Sequence, residues 1–229
     1  HDIRVRRACE YAIDKQALLD TLGYGLGKTC NQIFPENDPC HNLDTIGYPY
    51  DPAKAKQLLK EAGYPNGFKT KFIQVDFLPM DFPLAIQDMW KQVGIETEII
   101  RISILQINDM VGGANAKGWE GWFYAFAVSG PGVDPASALI NGPINYNTTW
   151  ISNWEPPELI ELAKAGAAEL NYDKRVKIYQ EISKKMTDDY AQWLWLYYTL
   201  GLTSVSPRIK DASYTEGSQY PYAFAWVEY

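Results

Sequence analysis

The chain has 229 residues, 21 Lys and Arg against 28 Asp and Glu, and a formal charge of −7. That length is enough to bury a core without disulfide support, and the acidic balance argues against nucleic acid, which calls for a basic face. A hydrophobic fraction of 46% with 21% charged residues excludes a disordered chain.

In chain order, residues 2–22 read as two short helices. Asp2 caps the first, where Val5, Ala8, Cys9 and Ala12 form an apolar stripe, and Asp14 caps the second, which carries Ala17, Leu18 and Leu22. Gly23, Gly25 and Gly27 end it, and 28–50 reads as loop. Residues 51–62 carry the clearest helix signal: Asp51 as N-cap, Pro52 at N1 and Gly63 at the C-terminus. A turn at Tyr64–Gly67 leads to a strand at 69–75, a helix at 82–93 capped by Asp81 and stopped by Gly94, and an alternating strand at 95–102. Strand, helix, strand over this distance is a βαβ unit with parallel strands.

Beyond it come a short helix at 104–111, an aromatic strand at 119–128, a helix opened by Asp134-Pro135, an Asn-rich loop at 141–154, helices at 157–170 and 173–189 (the second capped by Asp173), and a strand at 192–199. The order gives an α/β fold with a mixed, mostly parallel sheet flanked by helices. Residues 206–229 lack periodicity and hold Tyr214, Tyr220, Tyr222, Phe224, Trp226 and Tyr229, an aromatic tail that needs something to pack on.

Catalytic motifs are missing from the sequence. There is no nucleophile elbow, no phosphate-binding loop and no dinucleotide fingerprint after a strand. Two histidines leave little from which to build a Ser-His-Asp set or a four-ligand metal site, so the expectation is a protein that is no enzyme and needs no cofactor or metal. Cys30 and Cys40, ten apart in a Pro/Asn-rich loop, suit either a loop-closing disulfide or two thiols. Asn147-Thr148-Thr149 matches a glycosylation sequon by chance.

Recognition is the better reading. Trp122, Tyr124 and Phe126 alternate along one strand and would share a face, either as a stacking platform at the strand end or as core. Open α/β sheets take ligands beyond the carboxyl ends of their strands. Asp134 reads first as a helix cap, with a ligand contact in addition. Asn145, Tyr146 and Trp150 offer amide and aromatic groups suited to a polar, neutral ligand.

Several stretches together resemble one family. Val5-Arg6-Arg7-Ala8-Cys9-Glu10-Tyr11-Ala12-Ile13-Asp14-Lys15 and Tyr50-Asp51-Pro52-Ala53-Lys54-Ala55-Lys56-Gln57-Leu58-Leu59-Lys60-Glu61-Ala62-Gly63-Tyr64 are similar to segments of the family 5 extracellular solute-binding proteins, the oligopeptide, dipeptide and nickel receptors of ABC importers. Trp90-Lys91-Gln92-Val93-Gly94-Ile95, Pro157-Glu158-Leu159, Lys174–Glu181 and Ser206-Pro207-Arg208-Ile209-Lys210 continue the ordered match.

The resemblance implies one lobe of a two-lobed, type II periplasmic-binding-protein fold. Residues 1–205 would be the C-terminal ligand-binding lobe, and 206–229 a tail returning to the N-terminal lobe. It further implies a periplasmic or cell-surface, lipoprotein-anchored receptor that passes a small solute, a peptide or an oligosaccharide, to a membrane permease. In peptide-binding members an acidic residue three after a Trp on the strand matching Gly121–Val128 pairs with the peptide amino group. Here that position is Ala125, which counts against a simple peptide site. A stand-alone carbohydrate-binding module is the alternative.

Overall fold

The computed structural model describes residues 2–112, 123–124, 135–140, 144, 154–199, 206–211 and 225–228. Helix α1 (Ile3–Tyr11) is capped by the Asp2 carboxylate, which accepts from the Arg4 amide. Helix α2 (Lys15–Leu22) is capped in the same way by Asp14, and α3 (Pro52–Glu61) by Asp51 with Pro52 at its start. These caps satisfy amides that a helix start otherwise leaves without partners.

Strand β2 (Phe68–Val75), helix α4 (Asp81–Gln92) and strand β3 (Ile95–Ile102) form the expected βαβ unit, with β2 and β3 parallel in register from Phe68–Ile95 to Val75–Ile102. Helix α5 (Ile104–Gly112) follows, and β4 (Phe123–Tyr124) pairs parallel to the other side of β2, giving the order β3-β2-β4.

Alternation along β2 sends neighbouring residues to opposite faces. Phe72 joins Ile95, Ile86, Trp90 and the apolar stripes of α1 and α3 in the largest core cluster. Ile73 and Val75 pack with Ile107 and Met110 of α5 in a separate cluster. Helix α4 therefore covers one face of the sheet and α5 the other. The two crossovers step in opposite directions across the sheet, so a common hand requires this arrangement.

Helices α6 (Pro135–Ile140), α7 (Pro157–Ala168) and α8 (Tyr172–Lys184), the last continued by a π-helical turn (Lys185–Asp189), build a second apolar cluster around Leu139, Ile144, Leu159, Tyr179 and Ile182. Two short antiparallel pairs complete the described structure: β1 (Gly27–Thr29) with β5 (Tyr197–Thr199), and β6 (Ile209–Lys210) with β7 (Trp226–Val227).

Four expectations need correction. The stretch 28–50 is not all loop, because Gly27–Thr29 finds a partner about 170 residues away in β5. The predicted strand 192–199 is reduced to β5: Ala191 takes a left-handed conformation (φ 41°), and the segment up to Leu196 has no ladder, although Leu196 accepts from the Cys30 amide. Asp81 and Asp173 lie in the first turns of their helices and do not cap them. Residue 80 takes the cap position of α4 without a side-chain bond, and Asn171 caps α8 by accepting from the Lys174 amide.

Of the two alternatives for Cys30 and Cys40, the structure shows the thiols. Cys30 and Cys40 form no disulfide. The Cys40 amide is held by the Asp38 carboxylate (2.7 Å), and its side chain packs in the second cluster. The loop is closed instead by Gln32, whose side chain accepts from the Asn42 amide (2.9 Å) and donates to the Asn42 carbonyl (3.0 Å). Burial pushes the Cys30 thiol up to about 12, so it stays protonated and unreactive.

Candidate functional site: the crevice at the ends of β2 and β3

The topology selects one place for a ligand. The chain leaves β2 toward α4 on one face and leaves β3 toward α5 on the other. The order β3-β2-β4 reverses at β2, so the carboxyl ends of β2 and its two neighbours make up the edge where doubly wound sheets usually take ligands.

Both rims are firmly built. On the β2 side, the Asp76 amide donates to the Ile102 carbonyl (2.9 Å) and the Leu78 amide to the Val75 carbonyl (3.1 Å). The buried Gln74 side chain donates to the Pro79 carbonyl (3.1 Å), and the Arg101 guanidinium donates to the Asp76 carbonyl. On the β3 side, Ser103 and Gln106 form a reciprocal cap. The Ser103 amide donates to Gln106 Oε1 (2.9 Å) and the Gln106 amide to Ser103 Oγ (3.3 Å).

Within this frame Leu78 turns into the α5 cluster while Phe77 stays outside, 68% exposed. Helix α5 does the same. Ile107 and Met110 go to the core, whereas Ile104 and Leu105 in its first turn are 46% and 76% exposed. The helical reading of 104–111 located α5 but carried no signal for this outward apolar face.

The predicted site residues Trp122, Phe126, Asp134, Asn145, Tyr146 and Trp150 lie outside the described residues. For Tyr124 the backbone alone is described, paired with Ile73 at the end of β4. Phe123, between positions 122 and 124, packs on the core, with its ring 4.6 Å from that of Trp90. The exit of the predicted ligand loop is secured at Trp154, where the Arg6 guanidinium lies 4.4 Å over the indole and the Gln192 side chain donates to the Trp154 carbonyl (3.2 Å). Its entry is anchored by Ile144, fully buried in the second cluster. Among the described residues no group of three or more His, Cys, Asp and Glu side chains could hold a metal ion, and no helix is long and apolar enough to cross a membrane.

The comparisons with known proteins agree with this architecture. The model of the bacterial extracellular solute-binding proteins, family 5 middle region, matches residues 1–135. The chain belongs to that family. Among its relatives, heme-binding protein A of Haemophilus influenzae is 29% identical over 91% of this chain, and the dipeptide-binding protein of Escherichia coli is 27% identical over 82%. The chain spans 39% and 36% of these two relatives' lengths.

Solved structures of similar fold include HbpA2 from Haemophilus parasuis (TM-score 0.81, 22% identity, 99% of this chain and 45% of that one). Another is the ABC transporter-associated periplasmic binding protein DppA from Helicobacter pylori in complex with the peptide STSA (TM-score 0.82, 21% identity, all of this chain and 44% of that one). A family 5 solute-binding protein is thus represented here by less than half the length of its relatives.

Proposed function

We propose that residues 1–205 form the ligand-binding C-terminal lobe of an extracytoplasmic receptor that captures a peptide or other small solute and delivers it to the membrane permease of an ABC importer. The observation that carries this reading is the family 5 match over 1–135, on a parallel sheet of order β3-β2-β4 whose helices cover both faces. The dipeptide-binding and glutathione-binding relatives favour a peptide-like solute. The oligosaccharide alternative gains no support from them. Periplasmic residence with a lipid anchor belongs to the same reading.

The proposed solute face joins the crevice to Trp122, Tyr124 and Phe126, with Asn145, Tyr146 and Trp150 on the following loop. Support comes from Phe123. It is committed to the core, and a strand period of two assigns positions 122, 124 and 126 to the opposite face. Asp134, directly before α6, is kept as a cap that also faces solute. The tail from residue 206 is assigned to the N-terminal lobe. Ile209, Ala225, Trp226 and Val227 line an open, mostly apolar cavity of about 300 Å³, a face suited to packing on a further part of the protein.

The test is a thermal-shift panel on the full receptor with di- and tripeptides, glutathione and oligosaccharides, followed by calorimetry on Trp122→Ala. Stabilisation grows with ligand concentration over Kd, so peptides should raise Tm and Trp122→Ala should weaken binding. Stabilisation by oligosaccharides alone would overturn the peptide reading, and unchanged affinity would remove Trp122 from the site.

A further inference from the structure

We propose that the cavity between α8 and the Asp38–Cys40 segment is a second small-molecule site. It takes a small free amino acid as the zwitterion, with the α-carboxylate on Arg175, the α-ammonium on Asp38 and a short apolar side chain against the walls.

The cavity has a volume of about 130 Å³ and lies apart from the sheet edge, since no residue of β2, β3 or β4 lines it. One wall is a single face of α8, where Tyr172, Arg175, Val176 and Tyr179 recur at helical spacing. The facing wall is Asp38, Pro39 and Cys40, and Pro135, the first residue of α6, completes the lining.

Both walls are fixed. Tyr179 and Cys40 are buried in the second apolar cluster. The Gln180 side chain donates to the Pro39 carbonyl (2.8 Å) and ties the facing segment to α8. Within that segment the Asp38 amide donates to the Pro35 carbonyl and the His41 amide to the Asp38 carbonyl (2.9 Å each). A cavity held open by such bonds is preorganised, which lowers the ordering cost a ligand must meet.

Charge decides the occupant. Arg175 and Asp38 bring opposite charges to one cavity, and both side chains belong to half-buried residues. They stand too far apart to pair with each other, and among the described residues neither forms an ion pair with any other group. Asp38 Oδ1 accepts from the Cys40 amide (2.7 Å), which leaves Oδ2 for a ligand. Partly desolvated charges gain from a partner. A simple anion on Arg175 would be repelled by Asp38, and a simple cation on Asp38 by Arg175. A zwitterion meets both: its carboxylate matches the planar guanidinium fork, and its ammonium donates to a carboxylate oxygen.

Size sets the class. A cavity of about 150 Å³ holds a benzene molecule, so this one has room for the side chain of alanine or valine against Val176, Pro39 and Pro135. Sites for larger solutes start at about 300 Å³, which excludes a peptide. The site is therefore independent of the peptide reading of the receptor.

The experiment is equilibrium dialysis of radiolabelled L-valine against the full receptor, with N-acetylvaline and valinamide as unlabelled competitors. Valine should bind with a Kd on the order of 1 mM, as expected of so few atoms. Each blocked derivative lacks one of the two charges and should compete about tenfold more weakly than valine, or worse. Arg175→Gln and Asp38→Asn should each weaken valine binding about tenfold or more, and asparagine keeps an Oδ1 for the Cys40 amide. Absence of valine binding, competition by either derivative as strong as that of valine, or binding that survives both variants overturns the site. Hydrogen exchange on the wild type locates the ligand without any variant: saturating valine should slow exchange of the 38–41 amides, and unchanged exchange there overturns the site as well.

Discussion

The indole N–H of Trp90 donates to the backbone carbonyl of Cys9 across 3.2 Å, inside the largest core cluster. This bond joins the crossover helix α4 to the first helix of the chain, and both partners are almost fully buried. The same indole packs against Phe72 at 6.2 Å and Phe123 at 4.6 Å between ring centroids, so one side chain ties α1, α4, β2 and β4 together. The sheet edge that forms the crevice is held in place from behind by this residue.

Trp90→Phe should therefore cost about 1–3 kcal/mol, because it leaves the buried Cys9 carbonyl without its donor. Trp90→Ala should cost about 3–5 kcal/mol through the cavity it opens. Urea unfolding of the two variants checks both the order and the size. Equal midpoints for Trp90→Phe and wild type would show that the hydrogen bond contributes nothing.

The second buried joint is ionic. Glu10 of α1 and Lys15 of α2 lie 3.1 Å apart, and Lys15 also donates to the Asn31 side chain (3.0 Å) and the Cys30 carbonyl (3.3 Å). Burial raises the Glu10 carboxyl above its ordinary value of 4.5, with Lys15 and the Trp195 backbone pulling it partly back. Removing one partner of such a pair strands the other charge, so Lys15→Met should cost about 3–5 kcal/mol.

A carboxyl with a raised folded-state pKa binds more protons folded than unfolded. Its contribution is fully present below about pH 4.5 and is lost as pH rises toward the folded value. Glu10→Gln, which cannot titrate, should thus gain stability relative to wild type as pH rises from 5 to 8. A pH series of denaturation curves for the two proteins measures this, and a constant difference would contradict the burial argument.

These joints show which parts of the molecule were legible. Apart from β1, the elements from α1 to α5 follow from local chemistry: Asp2, Asp14 and Asp51 cap where a carboxylate precedes an apolar stripe, and Gly63 and Gly94 adopt the positive φ that ends their helices. Strand β1 was illegible because its partner, β5, lies far along the chain. Trp193 and Trp195 do stack as alternation suggests, at 6.1 Å, yet they have no ladder beside them. The outward apolar pair on α5 was hidden for a different reason. In sequence, Ile104 and Leu105 look like the core residues Ile107 and Met110, and only packing separates the outward pair from the inward one.

Asp188 gives a prediction about a loop. Its carboxylate accepts from the Ile46 and Gly47 amides (3.0 Å each) and from Lys184 (2.7 Å). Burial pushes this carboxyl up, but the bonds from Lys184, Gly47 and Ile46 outweigh it and hold it below its ordinary 3.8. That stabilisation is present above about pH 3.8 and is lost as pH falls through the lower folded value. Asp188→Ala should lower stability at pH 7 by about 1–2 kcal/mol and speed proteolysis within 42–47. At pH 2–3 the difference from wild type should shrink. Unchanged cleavage at pH 7 would mean that the bonds of Asn42 to Gln32 and Gln180 and of Lys184 to the Asp44 carbonyl hold the loop without Asp188.

Gly67 and Gly94 make the last prediction, at the end of the sheet opposite the crevice. Gly67 closes the Tyr64–Gly67 turn with φ 77°, and Gly94 leaves α4 with φ 94°, so each carries a conformation that side chains rarely adopt. The two also touch: a Cβ on Gly67 would overlap the Gly94 backbone carbonyl, and the Phe68 amide donates to that carbonyl (3.2 Å) at the first rung of the β2–β3 ladder. Gly67→Ala thus combines an unfavourable φ with a backbone clash, and its cost should exceed the roughly 1 kcal/mol of a strained φ alone. Gly63, equally left-handed at φ 92°, has open space around its would-be Cβ. Gly63→Ala carries the φ cost without the clash. Thermal denaturation of both variants should therefore place Gly67→Ala well below Gly63→Ala, and equal losses would show that the β2 and β3 starts can separate without cost to the parallel pair.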